Sequence, residues 1–160
     1  MKAAVVTVSD SAARGLREDL SGPAVVAALR QRGFDVVLTS IVPDDVARIQ
    51  AAIIEAADYA QLIVTTGGTG LSPRDVTPEA TRAICQRLVE GVAERMRAEG
   101  MKKTPLAALS RGLCGTRGQS LILNLPGSPA GATESLAAVA DLLPHALELL
   151  QGKTEHGEQR

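Results

Sequence analysis

A chain of 160 residues is long enough for one compact domain and too short for two ordinary ones. Apolar residues make up 45% of it, so a sizeable core can form; Ala, Val, Leu and Ile supply it, because the only aromatics are Phe34 and Tyr59. A formal net charge of −1 excludes a global basic field for nucleic acid or an anionic membrane, and leaves room only for a local pocket that binds an anion through backbone N–H groups.

Residues 3–8 read as a first buried strand. The apolar run is too brief for a signal peptide or a membrane span, and Ser9-Asp10 ends it, so the cytoplasm is the default location. Ser21 is expected to cap a helix that carries Pro23 early and stops at Gly33. Phe34 to Ile41 is the second strand, rich in β-branched residues. Pro43-Asp44-Asp45 leads into a second helix, with Val46, Ile49, Ile53 and Ala57 along one face. Gln61 to Thr66 is a third strand that runs straight into Gly67-Gly68-Thr69-Gly70. Thr77 as cap, Pro78 and Glu79 start the next helix, expected to reach Leu88; a shorter one spans Gly91 to Glu99 before Gly100. Leu113 to Gly115 is a candidate edge strand, with Thr116-Arg117-Gly118 as a turn. Ser120 to Asn124 is a buried strand, and Glu134 to Leu150 a helix kinked near Pro144. Residues 1–151 thus form a single domain, and 152–160 a polar tail.

Strands alternate with helices throughout. That predicts an α/β fold, a three-layer α/β/α sandwich with a mostly parallel sheet. Right-handed crossovers would collect four segments at the carboxyl end of the sheet: Ser9-Asp10, Pro43-Asp44-Asp45, Gly67 to Asp75, and Pro126 to Pro129.

Each segment has a plain reading and a chemical one. Gly67, Gly68, Thr69 and Gly70 make a tight connection, or a cradle where backbone approaches a phosphate. No Gly-Lys-Ser/Thr closes it, so it is not a P-loop, and its spacing is wrong for a dinucleotide fingerprint. Arg74-Asp75 is a solvated loop pair, or a charge clamp beside a Mg²⁺-holding carboxylate. Asp44 is the natural second carboxylate, with Asp45 as the competing choice or a helix cap. Pro126, Gly127 and Ser128 form a stiff turn or a binding loop. Ser9 and Asp10 lead into a helix, or line the pocket. Cys85 and Cys114 are expected reduced and buried, and neither they nor His145 and His156 form a metal pattern.

Taken together, Thr65 to Gly70, Arg74 to Thr81 and Leu123 to Pro129 resemble the signature blocks of the MoaB/Mog family of molybdenum-cofactor biosynthesis proteins. The opening Val6 to Asp10 and the Ile41 to Asp45 segment fit as well, so the likeness spans residues 3–150. The resemblance implies a molybdopterin-binding domain, a homotrimer or hexamer, with adenylylation of molybdopterin by Mg²⁺-ATP and release of pyrophosphate. It implies a downstream molybdate-inserting partner. The family's catalytic acidic positions match Asp44 and Asp75, which would also hold Mg²⁺; the glycine turn and the Pro126 to Pro129 loop match its binding segments. Inactive relatives depart from the Arg-Asp pattern that Arg74-Asp75 retains. The alternative is a noncatalytic molybdopterin-binding scaffold.

Overall fold

The computed structural model describes residues 1–154. His156 and the part of the predicted tail beyond Thr154 lie outside the described residues.

The chain runs β1 (Lys2–Val8), α1 (Asp10–Ala13), α2 (Ser21–Gln31), β2 (Asp35–Val42), α3 (Val46–Ala57), β3 (Leu62–Thr66), α4 (Thr77–Ile84), β4 (Arg87–Leu88), α5 (Glu90–Met101), β5 (Cys114–Arg117), β6 (Ser120–Leu125), α6 (Pro129–Val139) and α7 (Leu143–Leu150). One six-stranded sheet has the order β2-β1-β3-β6-β5-β4. The first four strands are parallel, and β5 and β4 add an antiparallel margin. The expected α/β sandwich is present.

Period-two alternation in the central strands sorts their side chains onto two faces. Ala3, Val5, Leu62, Val64, Leu121 and Leu123 face α2, α5, α6 and α7, which contribute Val25, Leu29, Met96, Leu136 and Leu147. Ala4, Val6, Ile63 and Ile122 face α3 and α4, where Ile49, Ile53 and Ala80 meet them. Each such Leu or Ile taken fully from water contributes about 1.5–3 kcal/mol. The buried face of α3 is Ile49, Ala52, Ile53 and Ala56; Val46 is exposed and Ala57 only half-buried, so the predicted stripe is rotated by about one residue. The helix after β1 packs on one face and the helix after β3 on the other. The crevice between the carboxyl ends of these two neighbouring strands is therefore a topological switch point, where α/β folds receive ligands.

Several local expectations change. Asp19, not Ser21, caps α2: its Oδ1 accepts from Gly22 N at 2.9 Å, and its Oδ2 from Thr7 Oγ1 at 2.7 Å. Helix α4 stops at Ile84 rather than Leu88, because Gln86 N and Val89 N donate to the carbonyls of Thr116 and Cys114 at 2.7 and 2.8 Å. Sheet bonding there wins over helix propensity. Consequently Thr116 and Arg117 belong to β5, β4 takes the edge, and Gly118-Gln119 makes the two-residue turn with Gly118 at φ +55°. The last helix begins at Pro129 and breaks at a 3₁₀ turn over Ala140–Leu142, since Pro144 has no N–H for the Ala140 carbonyl. Cys114 is buried and Cys85 half-buried; they pack on opposite faces of the sheet, both free. Burial pushes the Cys114 thiol up to about 12.

Asn124 is a polar anchor within β6, 1% exposed. Its Nδ2 donates to the hydroxyls of Thr65 and Thr81 at 3.0 and 3.1 Å, and its Oδ1 accepts from Leu113 N at 3.3 Å. It ties β3, β6, α4 and the segment before β5 together. Asn124→Ala strands a buried N–H and is expected to cost about 2 kcal/mol. Urea unfolding checks this; an unchanged midpoint would show that the three bonds add nothing net.

Candidate active site

Parallel strands deliver their exits to one end of the sheet, and the four predicted segments meet there. Ser9 N donates to the Val42 carbonyl at 2.9 Å, which joins the exits of β1 and β2. Gly67 N donates to the Leu125 carbonyl at 3.1 Å and Thr66 Oγ1 to the Pro126 carbonyl at 2.7 Å, which joins β3 to β6. Gly67 has φ +102°, and a Cβ on it would sit 2.2 Å from the Val8 carbonyl oxygen, so backbone passes backbone with no space for a side chain. Gly127 lies against it: its own Cβ would stand 3.3 Å from Gly67 Cα.

Thr77 is the first residue of α4 rather than its cap. Its hydroxyl donates back to the Gly67 carbonyl at 2.9 Å and its amide to the Gly68 carbonyl at 3.1 Å. The Gly67 N–H is already spent on Leu125, which removes it from the expected phosphate cradle. The amides of Gly68, Thr69 and Gly70 donate to no group among the described residues. Thr69 is buried, 5% exposed.

Asp44 and Asp75 flank this turn. A Cβ on Gly68 would lie 3.1 Å from Asp44 Oδ1, and one on Gly70 2.9 Å from Asp75 Oδ2. Asp75 Oδ2 accepts from Ser72 N at 3.1 Å. Asp10 and Asp44 hold each other reciprocally: Asp10 N donates to Asp44 Oδ2, and Asp44 N to Asp10 Oδ1, both at 2.9 Å. Arg74 Nε and Nη2 grip the Asp10 carboxylate at 2.9 and 3.0 Å. Asp45 is the helix cap, accepting from Arg48 N at 2.9 Å, so the competition between Asp44 and Asp45 goes to Asp44. Ser9 Oγ caps α1 through Ala12 N at 3.2 Å, and Ser128 Oγ caps α6 through Gly131 N at 3.0 Å. Both hydroxyls are thereby already engaged as acceptors.

Asp10 and Asp44 divide electrostatically. The Arg74 guanidinium, then the Asp44 amide, hold the Asp10 carboxyl below its ordinary value. Burial, with the neighbouring charges of Asp10 and Asp75, pushes Asp44 up. A half-buried, penalised carboxylate paired with a second one, beside the amides of a glycine turn, is a hard-oxygen donor set. It fits Mg²⁺, which takes one or two carboxylates and fills its other positions with water and phosphate oxygens. Among the described residues no cluster of three or more His, Cys, Asp or Glu offers a fuller protein cage.

Next to the turn, a cavity of about 470 Å³ opens between α5, α6 and the segment before β5. Pro126 and Ser128 form its wall nearest the turn; Met96, Arg97, Ser110 and Glu134 line it further out. The sequence pointed to Pro126, Gly127 and Ser128 but not to the α5 and Ser110 walls. It also missed Thr77 as a brace for the turn, and Arg111, whose amide donates to the Thr69 carbonyl at 2.8 Å. Nothing in the aperiodic stretch 104–118 signals that contact.

The fold and this glycine-turn site are those of a cofactor-biosynthesis domain. The model of the family described as "Probable molybdopterin binding domain" matches residues 4–145, and the chain belongs to that family. It is 41% identical over 152 residues to the molybdopterin adenylyltransferase of Helicobacter pylori (strain ATCC 700392 / 26695), covering 92% of this chain and 86% of the relative. The crystal structure of the molybdopterin biosynthesis enzyme MoaB from Thermus thermophilus superposes with a TM-score of 0.89 at 51% identity, covering 94% of this chain and 96% of that one. The tungsten cofactor synthesizing protein MoaB from Pyrococcus furiosus gives 0.87 at 33%, covering 94% and 96%. No helix among the described residues is long and apolar enough to cross a membrane.

Two outcomes are expected. Gly67→Ala combines a left-handed φ with a backbone clash and should cost more than about 2 kcal/mol, whereas Gly118→Ala, with φ +55° and open space, costs about 1; equal losses in thermal melts would contradict the clash. In a carboxyl NMR titration, Asp44 should protonate above 3.8 and Asp10 below it, with Mg²⁺ lowering the Asp44 midpoint. By linkage, the Asp44 contribution to stability is complete below its unfolded value and is lost as pH rises through the raised folded one. The Asp10 contribution has the opposite sign: it is present above its unfolded value and lost as pH falls through the depressed folded one. Coincident midpoints would show that the two environments do not differ.

Proposed function

We propose that this chain is a molybdopterin adenylyltransferase, carrying AMP from Mg²⁺-ATP to the terminal phosphate of molybdopterin and releasing pyrophosphate. The observation that carries the reading is the close approach of Asp44 to Gly68 and of Asp75 to Gly70, beside a cavity large enough for a heterocycle. Relatives named for this activity support it at high coverage.

The reaction is an in-line displacement at phosphorus. A terminal phosphate oxygen of molybdopterin forms a bond to the α-phosphorus of ATP. The bond from that phosphorus to the bridging oxygen breaks, and pyrophosphate leaves with the electron pair. The nucleophile is already ionised near neutral pH, so position matters more than a general base. The amides of Gly68, Thr69 and Gly70 stabilise charge on the phosphoryl oxygens. Asp44 and Asp75 would hold Mg²⁺, which when bound would neutralise triphosphate charge. Arg74, anchored on Asp10, lends positive charge at the rim. Pro126, Gly127 and Ser128 form the wall between the turn and the cavity, where the pterin is expected. Ser9 and Asp10 act mainly by setting the backbone around Asp44.

With this reading go residues 1–151 as one functional domain, a cytoplasmic homotrimer or hexamer, and a molybdate-inserting enzyme as consumer of the product. The oligomer and the partner follow from the family resemblance, the domain bounds and the location from the sequence pattern.

Purified protein given molybdopterin, ATP and Mg²⁺ should form adenylylated pterin and pyrophosphate in equal amounts. Asp75→Asn is expected to cut turnover about a hundredfold or more while the fold persists. Folded wild-type protein that binds pterin yet consumes no ATP would replace the enzyme with a scaffold.

A further inference from the structure

Between β3 and α4 the chain spends Thr69 to Val76 without a helix or strand. Asp75, on which the proposed chemistry depends, sits near the end of this span. Bonds inside the span are few: Asp75 N donates to the Ser72 carbonyl at 2.9 Å, and Ser72 N to Asp75 Oδ2 at 3.1 Å. They shape a tight turn but do not fix that turn relative to the glycines. From the exposed middle of the span Arg74 also grips the Asp10 carboxylate, and exposed backbone held by so few bonds opens readily.

A second constraint, on the two ends of the segment, comes from a residue some forty positions away. Arg111 Nε donates to the Gly70 carbonyl at 2.8 Å and its Nη2 to the Asp75 carbonyl at 2.9 Å. One planar group therefore grips both ends of the Gly70–Asp75 segment. Its Nη1 bonds the Glu79 carboxylate in the first turn of α4, and its own amide bonds Thr69. The guanidinium side chain is one-third exposed, so its carbonyl bonds are only partly screened by water. We propose that Arg111 is a positioning residue: its guanidinium closes the Gly70–Asp75 loop and sets where the Asp75 carboxylate stands against the glycine turn. The consequence for turnover rests on the adenylyltransferase reading; the effect on the loop does not.

Position and charge separate cleanly at this site. A lysine keeps the positive charge but offers one flexible ammonium in place of a rigid fork, and cannot bridge two carbonyls at these distances in the same way. If Arg111 acted only as a distant positive charge, Lys would restore function. If it acts by geometry, Lys fails almost as badly as Gln. An error of about 1 Å in placing a reacting group can cost about a hundredfold in rate.

The test uses the full chain carrying Arg111→Lys, Arg111→Gln or Glu79→Gln, the last releasing only the third anchor. Amide hydrogen exchange of Ser72 and Asp75 is read first, beside urea midpoints as a check on global folding. Both Arg111 variants should lose about tenfold or more of the protection at these two amides while the β3 and β6 amides keep theirs. Glu79→Gln should lose less, and it carries the test should an Arg111 variant fail to fold. In turnover, the Lys and Gln variants should both lose about ten- to a hundredfold in kcat, with KM for the pterin changed less than about threefold. Unchanged protection, or full rescue of kcat by Lys, overturns the proposal. Wild-type protein without turnover would overturn the adenylyltransferase reading alone, since hydrogen exchange still decides whether Arg111 holds the loop.

Discussion

Where β1 and β3 leave the sheet, two backbones pass closer than any side chain permits. Gly67 turns with a positive φ directly against the Val8 carbonyl, and Gly127 from the β6 exit lies on its other side. Everything at this end of the sheet is placed relative to that crossing. Because Gly67 has no Cβ, three strand exits converge and Thr77 can brace the turn from the start of α4. Because the turn is tight, the amides of Gly68 to Gly70 find no partner among the described residues, and the carboxylates of Asp44 and Asp75 arrive on either side. In the proposed reading anion binding comes from backbone, which is how a chain with net charge near zero would handle a triphosphate.

The carboxylates show how environment divides like groups. Asp10 is exposed to the Arg74 fork and stays ionised easily. Asp44 is half-buried, faces two like charges, and holds its charge at a cost. A divalent cation held there, as proposed, would relieve that cost. The reciprocal Asp10–Asp44 backbone bonds tie the exits of β1 and β2 into one unit. Arg74 then links that unit to the loop bearing Asp75. Few of these polar groups belong to a long regular element; their precision comes from the parallel sheet beneath them, whose central strands are fully packed on both faces.

The cavity beside the turn is built differently. Its walls are helices α5 and α6 and the segment leading to β5, and Pro126 and Ser128 bring it beside the glycine turn. A ligand with an extended heterocycle and a phosphate would lie across that junction. The antiparallel margin of β4 and β5 matters here, because it turns the chain back so that Ser110 and Arg111 reach the turn and the cavity wall. The sheet edge is thus part of the site's construction.

The sequence by itself determined the alternation of strands and helices, the sandwich of helices around a mostly parallel sheet, and the four loops that meet at its carboxyl end. Those properties follow from local pattern: apolar runs that must be buried, prolines and glycines that end elements, and the handedness of crossovers. The same local logic made Asp44 and Asp75 legible as a pair. Tertiary structure alone decided the rest. Residues 85–89 left the helical pattern because β5 offered sheet bonds to Gln86 and Val89. Thr77 turned its hydroxyl back to Gly67 instead of capping. Asp19 displaced Ser21 because Thr7 in β1 was within reach. Arg111, in a stretch that carries no period, found the Asp75 loop thirty-six residues away. Each of these depends on a partner distant in the chain, and a hydrogen bond between distant residues leaves no periodic trace in either one.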